Sequence, residues 1–444
     1  MFKRDILIAL EKWATKQHRK PLILRGARQV GKTSIVNEFG KQFDNYIYVN
    51  LENHQYKALF DKFYSIDQLL IDINTLTGKP YPKGRTLIFF DEIQNSAEAI
   101  KQLRYFYEEK PELYIIAAGS LLETLIDVNV SFPVGRVEYM AVHPVSFKEF
   151  LCADGKENLR NYLESSPDKT STLHESYMTA FRNYSLIGGM PEVVDVFVNE
   201  HDINVANDIY DTLLRGYKDD VEKYAPNRTL TQVVRFLIDK GWGALAQKIT
   251  LGNFANSSYK SREVGEAFRL LERAMLLELI YPNSNTDLPL MPQYTRSPKL
   301  IWLDIGLANY ANKVQKDIFE AIDLLDAWRG AVAEQLVAQE LITLSNRVNE
   351  PRYFWNKLRS DAEVDFEYIY DGHVVPIEVK SGHNSHLRSL HEFIDLSKEK
   401  IGVRVWSNPL QIDTIKTSRG KDFKLLNIPF YLISSLPQLL ANNM

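Results

Sequence analysis

Cysteine occurs once in the 444 residues, at Cys152. That excludes an intramolecular disulfide framework and a cysteine-rich zinc centre, and it fits a reducing compartment. Long apolar runs are missing as well. No stretch approaches the roughly 18–20 residues that a membrane-spanning helix needs. The start, MFKRDILIALEKWATKQHRK, lacks the apolar core of about seven to fifteen residues that marks a secretory signal. These absences lead to the expectation of a cytoplasmic protein with no membrane partner. Nor is charge of one sign in excess: a net charge of −4 names no partner, because a local basic surface can sit inside a balanced total. Internal repeats and low-complexity tracts are also absent. What is there is an ordinary globular mixture, 45% apolar and 25% charged. At a prior of about 150 residues per domain, the length predicts about three compact units.

The sequence PLILRGARQVGKTSIVNEFG begins as a short apolar strand, turns at Gly26 and continues from Gly31 as a helix with Ile35, Val36 and Phe39 on one face. Its turn, GARQVGKT, is the P-loop pattern G-x-x-x-x-G-K-[ST] in the strand-to-helix context that pattern requires. Chance would supply it on the order of once in a hundred chains of this length. The loop from Gly26 through Ala27, Arg28, Gln29, Val30 and Gly31 brings backbone N–H groups to phosphates. Lys32 is expected to reach the outer phosphates and Thr33, beside Ser34, to ligate magnesium.

About sixty residues later RTLIFFDEIQ reads as a buried parallel strand ending in two acids. Asp91 is expected to hold the magnesium through water and Glu92 to polarise the attacking water. At the end of the next strand, ELYIIAAGSLLE, Ser120 either faces the γ-phosphate or caps a helix. Arg136 either stabilises transition-state charge, from this subunit or a neighbour in a homo-oligomer, or forms a surface ion pair.

In the carboxyl-terminal third, EVDFEYIYDGHVVPIEVKSG reads as a hairpin about a two-residue turn at Asp371-Gly372. Pairing Tyr370 with His373 and counting outward sets Asp365 opposite Glu378 and Glu363 opposite Lys380. Opposed carboxylates repel unless something positive sits between them. Magnesium is the expected cation, held by Asp365 and Glu378, with Lys380 orienting water or offsetting phosphate charge. The alternative is a solvated strand face carrying cross-strand ion pairs after a one-residue register shift, and Pro376 interrupts the second strand. Asp365…Glu378-Val379-Lys380 is also the D…E-x-K pattern of the PD-(D/E)xK nuclease superfamily.

Taken together, GARQVGKT, IFFDEIQ, AAGSLLE, VGRVEYMAVHPVSFKEFL, GGMPEVV and KLIWLDIGLANY resemble the AAA+ ATPases of bacteria and archaea that carry a carboxyl-terminal domain of unknown function. The resemblance spans nearly the whole chain in the right order. It implies an α/β P-loop NTPase core of AAA+ type with a parallel sheet, a helical or winged-helix segment, and an α/β restriction-endonuclease-like domain. Ser120 stands where that family commonly has an asparagine. The nuclease superfamily often adds a glutamate from a preceding helix, and WRGAVAEQLVAQELITL offers Glu334 for it by that resemblance, although Glu340 has a similar apolar setting.

The expected division is therefore an ATPase core over 1–150, a helical lid over 151–204, a winged-helix-like segment over 205–290 and the nuclease-like domain over 291–444. The strands RVWS and FYLIS are expected to complete the last sheet. In the second winged helix Val264, Phe268, Leu271 and Met275 form the buried stripe. Arg262, Arg269 and Arg273 either contact phosphates or, with Glu266 among them, form a solvated ion-paired face. The functional expectation is an ATP- and Mg2+-dependent ATPase coupled to a magnesium-dependent nuclease-like domain acting on DNA or another nucleic acid through Glu334, Asp365, Glu378 and Lys380. The alternative is a nucleotide-dependent switch whose last domain binds protein or DNA without cleaving.

Overall fold

A computed structural model describes residues 2–62, 65–79, 84–119, 133–222, 225–320, 330–380 and 387–444. The amino-terminal unit is a five-stranded parallel sheet made of β1 (Leu22–Arg25), β2 (Asn45–Asn50), β3 (Thr86–Asp91), β4 (Tyr114–Gly119) and β5 (Glu138–Ala141), in the order β2-β3-β4-β1-β5. Because β1 and β3 are buried along their whole length, their continuous apolar runs are what a parallel sheet covered on both faces demands. β4 lies between them, so the P-loop and the acidic strand end flank one central strand. Ser120 follows β4 directly and lies outside the described residues.

Where the sequence suggests a lid there are four helices, Phe147–Ala153, Glu157–Ser165, His174–Ile187 and Pro191–Glu200. Pro191 occupies the first turn of its helix, where a missing N–H costs nothing. Next come helices Ile203–Glu222, Arg228–Lys240 and Ser261–Arg273, then the antiparallel hairpin of β6 (Leu277–Asn283) and β7 (Lys299–Trp302). Lys248 bridges to Lys299 as a short third strand of that hairpin. Val264, Phe268 and Leu271 are buried, as the apolar stripe requires. Met275 lies past the helix end, half-buried.

β6 also pairs with β8 (Tyr353–Asn356) in parallel. That joins the hairpin to β9 (Glu363–Tyr370), β10 (His373–Val379), β11 (Ile401–Trp406), β12 (Gln411–Lys416) and β13 (Asp422–Pro429) in one mixed sheet of order β12-β13-β11-β10-β9-β8-β6-β7. The sheet therefore runs across residue 290, where the sequence suggests a boundary. RVWS falls in β11 as expected, but FYLIS does not form a strand. Phe430–Ser435 is a 3-10 helix buried on all sides, with Tyr431 stacked on Tyr177 at 4.7 Å and Phe430 on Phe181 at 5.9 Å. A short all-apolar run carries no period that separates strand from buried helix.

Helix Ala331–Thr343 locks this sheet to the amino-terminal unit. Its Gln335, Gln339 and Glu340 are buried. Gln335 bonds both the N–H and the C=O of Trp302 at 3.0 and 2.7 Å, and Gln339 accepts from Ile305 N at 2.9 Å. Glu340 Oε1 accepts from Phe147 N at 3.0 Å and from the Tyr184 hydroxyl at 2.8 Å. Nearby, Asp304 accepts from Gly189 N at 2.5 Å and Leu307 N at 3.0 Å, so the GGMP turn is pinned by the strand end of the other unit.

Burial pushes the Glu340 carboxyl up to about 7, against the pull of its Phe147 and Tyr184 donors. Its other oxygen, Oε2, is buried without a hydrogen-bond partner among the described residues. A folded pKa above the unfolded value means that Glu340 contributes stability at low pH and loses it as pH rises through about 7. Glu340→Gln keeps the acceptor and removes the charge. We expect urea titrations to show the variant more stable than the parent by on the order of 1–3 kcal/mol at pH 8, the gap closing by pH 5. A pH-independent gap contradicts this account.

Candidate functional site

The P-loop joins β1 to helix Lys32–Gly40 through Gly31, whose φ of 94° lies in the left-handed region that side chains with a Cβ avoid. Lys32 folds over the loop, its Nζ donating to Gly26 O at 2.9 Å and Ala27 O at 2.8 Å. Burial pulls its ammonium down to about 8, with Glu92 and Asp91 opposing that shift. Thr33 Oγ1 donates to Asp91 Oδ2 at 2.8 Å, and the Tyr48 hydroxyl reaches the same oxygen at 3.1 Å. Residues from the loop and from two neighbouring strands thus converge on one carboxylate. Glu92 sits in the left-handed region at φ 52° and takes a hydrogen bond from Gln94. Ser34 is exposed, one turn into the helix.

The loop is braced from outside. Arg4 donates to Val30 O at 3.1 Å and His143 O at 2.7 Å while pairing with Glu149 at 3.0 Å. Arg28 pairs with Asp220, and the Tyr217 hydroxyl donates to Arg28 O at 3.3 Å, both from helix Ile203–Glu222. The second helical segment therefore rests directly on the phosphate loop. Sequence reading misses Tyr48, Gln94, Tyr217 and Asp220, since no spacing rule connects them with the motif.

Arg136 is placed elsewhere. It precedes β5, whose first residue pairs with the start of β1, so it stands at the end of the parallel sheet opposite the P-loop. There its guanidinium pairs with Glu108 at 2.9 Å. Within one chain it does not reach phosphates held by Lys32.

In the carboxyl-terminal sheet the hairpin turns at Asp371 and Gly372, with φ of 44° and 78°, and Tyr370 pairs with His373. Both central residues lie in the left-handed region, as a type I′ turn needs. The ladder passes through Pro376 opposite Glu367 and continues to Phe366–Ile377. The next step brings Asp365 alongside Glu378, and Val379 N donates to Asp365 Oδ2 at 2.8 Å.

The positive charge between these acids is not the one the sequence suggests. Lys299, which begins β7 and is 3% exposed, sets its Nζ 2.9 Å from Glu334 Oε2, 3.1 Å from Glu363 Oε1 and 3.3 Å from Asp365 Oδ1. Its cross-strand neighbour Lys248 pairs with the other oxygen of Glu363 at 2.8 Å. Lys380 pairs with Glu378 at 2.7 Å instead of with Glu363. Burial alone would pull the Lys299 ammonium down, but Asp365, Glu334 and Glu363 outweigh it and hold the group charged. Burial and then Asp365 push Glu334 up to about 7 and Glu378 to about 8. Among the described residues no group of three or more acids, histidines or cysteines is arranged to hold a metal ion. The signal for Lys299 was a lysine leading the otherwise apolar strand KLIW, a setting that has to be paid for by partners. Of the two candidate glutamates, the structure puts Glu334 at this cluster and Glu340 at the lid.

The comparisons with known proteins divide along the same line. Residues 18–151 match the model of an AAA domain, while 178–318 and 329–430 match two domains of unknown function, DUF8612 and DUF4143. An uncharacterized protein of Haemophilus influenzae is 23% identical over 364 residues, covering 74% of this chain and 80% of its own. Among solved structures, the Walker-type ATPase PABY2304 of Pyrococcus abyssi is similar with a TM-score of 0.43 at 15% identity, over 70% of this chain and 96% of that one. The RuvB Holliday junction branch migration motor of Thermotoga maritima gives 0.27 at 17%, over 63% and 90%. The first unit is thus a P-loop NTPase-like α/β domain of AAA type, followed by a mixed sheet of unassigned role.

Removing the Lys299 charge tests what holds the acid cluster. Lys299→Met leaves Glu334, Glu363 and Asp365 without their shared counter-charge, and thermal or urea unfolding should show a loss of about 3–5 kcal/mol. Adding Glu334→Gln to that variant should restore part of it. An unchanged midpoint in Lys299→Met contradicts the arrangement.

Proposed function

We propose that the chain binds and hydrolyses ATP at its P-loop, and that nucleotide state governs a carboxyl-terminal module that binds its partner without cutting it. For the first half, the supporting observation is the hydrogen bond from Thr33 Oγ1 to Asp91 Oδ2, which joins the two metal-side groups of the motif. Thr33 and Asp91 would hold a magnesium ion, which would offset phosphate charge when bound. Lys32, at the head of its helix, neutralises phosphate charge as the helix N–H groups receive oxygens. Glu92 polarises the attacking water, and Gln94 orients its carboxylate.

For the second half, the observation that carries the reading is the Lys299 ammonium within 3.3 Å of Glu334, Glu363 and Asp365. The D…E-x-K hairpin has the acids of a PD-(D/E)xK fold, but a tethered cation takes the place of the ion that nuclease chemistry would use. Glu378 Oε2 is buried without a hydrogen-bond partner among the described residues, but Lys299 already neutralises Asp365 Oδ1, so this reading runs no cleavage step through a metal there. This favours the switch over the nuclease.

Three measurements test the two halves. Lys32→Ala should abolish ATP binding, and Glu92→Gln should retain binding while turnover falls by about a hundredfold or more. Unimpaired hydrolysis in both variants refutes the ATPase assignment. The parent protein with Mg2+ or Mn2+, with and without ATP, should leave single- and double-stranded DNA and RNA intact. Cleavage that Asp365→Ala removes would overturn the non-cutting module and leave the ATPase half standing.

A further inference from the structure

We propose that the cleft where helix Ser261–Arg273, the loop 344–352 and the rear of the P-loop meet is a binding site for single-stranded nucleic acid. The proposal deepens the switch reading by naming what the module holds. The cleft encloses about 440 Å³ and draws its walls from all three units, including Ala27 of the P-loop and the segment Val142–Pro144. That volume is in the range of small-ligand sites. It admits a base with its sugar phosphate, and a duplex is too thick to enter.

Guanidinium groups enter the cleft from two sides, Arg269 and Arg273 from the helix and Arg347 and Arg352 from the loop. Some of this charge is committed. Arg352 pairs with Glu278 of β6 at 2.8 Å, and Glu272 of the helix accepts from Leu279 N. Arg269 and Arg347 are exposed and make no ion pair among the described residues. They are basic charges on the cleft that the fold itself does not use, against one acid in the same position, Glu350 of the loop.

Aromatic faces lie next to them. Tyr281 pairs with Tyr353 across β6 and β8, and its ring meets Tyr294 edge-on at 4.8 Å. Tyr294 is 72% exposed, a large ring that contributes little to the core. Bases stack on such faces regardless of sequence, while arginines follow the backbone. On the helix, Arg262, Glu266, Arg269 and Arg273 lie at i, i+4, i+7 and i+11, one stripe about 16 Å long. Its outer end, Arg262 with its Glu266 partner, lies beyond the cleft. Inside the cleft the stripe is basic through Arg269 and Arg273, and outside it is the neutral Arg262–Glu266 pair.

Fluorescence anisotropy with a labelled oligothymidylate of about twenty nucleotides tests this, in EDTA and without ATP. The full chain should bind it more tightly than a duplex of equal length. An oligouridylate arm tells whether DNA or RNA is preferred, and preference for either supports the site. Arg269→Glu with Arg347→Glu should weaken binding at least about tenfold and lower the slope of log K against log salt by about 1.4. Tyr294→Ala should cost about tenfold with the salt slope unchanged. Because the titration is run without ATP, failure of the ATPase reading and failure of this one are separable. No binding, preference for the duplex, or unchanged affinity in the charge-reversed variant overturns the proposal. Loss in that variant with no effect of Tyr294→Ala also overturns it, because it marks a surface that holds any polyanion.

Discussion

Everything in this fold has to accommodate one helix, Ala331–Thr343, which is buried on nearly every side yet carries two glutamines and two glutamates. A polar side chain taken out of water costs free energy unless it finds a partner. Each of these four therefore dictates the position of something else. Gln335 and Gln339 fix the backbone from Trp302 to Ile305. Glu340 takes the N–H of Phe147 and the hydroxyl of Tyr184 from the lid. Glu334, one turn from the amino end, reaches Lys299. The same helix thereby joins the amino-terminal unit, the middle helical segment and the last sheet, and a single buried apolar cluster runs from Ile6 through Val145 and Trp302 to Leu440.

The acid cluster obeys the same constraint by a different means. Asp365 beside Glu378 would repel, and Glu334 and Glu363 add to the burden. The fold answers with two bridged lysines, Lys299 at the start of β7 and Lys248 beside it. The cation thus belongs to one segment and the carboxylates to another. That makes the cluster a joint between segments, and it explains why the sheet does not divide at residue 290.

Much of this was legible in the sequence wherever an interaction is local or periodic. The P-loop, the apolar strand ending in Asp91 and the hairpin about Asp371-Gly372 are fixed by near neighbours, so spacing predicts them, register included. FYLIS was not legible, because an all-apolar run has no period to separate a strand from a buried 3-10 helix. Nor was Lys299. Its partners lie about 35 to 66 residues away, and no pattern of spacing says which lysine a set of acids will receive. Arg136 illustrates the converse: its place in the VGRVEYM stretch is suggestive, yet the direction of β5 sets it at the end of the sheet opposite its own chain's P-loop.

The loop itself is held by contacts that reach well beyond its own domain. Helix Ile203–Glu222 touches it twice, through Tyr217 to the carbonyl of Arg28 and through Asp220 to the Arg28 guanidinium. Arg4 holds the carbonyl of Val30, and Ala27 faces the interdomain cleft. The Lys32 ammonium occupies the carbonyls of Gly26 and Ala27, and the same three donors cannot serve those oxygens and a full set of phosphate oxygens in one geometry. On the reading proposed above, phosphates arriving at Lys32 compete with the carbonyls of Gly26 and Ala27, and Ala27 is also a wall of the cleft. In a tightly packed structure a shift of that loop would be passed on by rigid elements rather than absorbed.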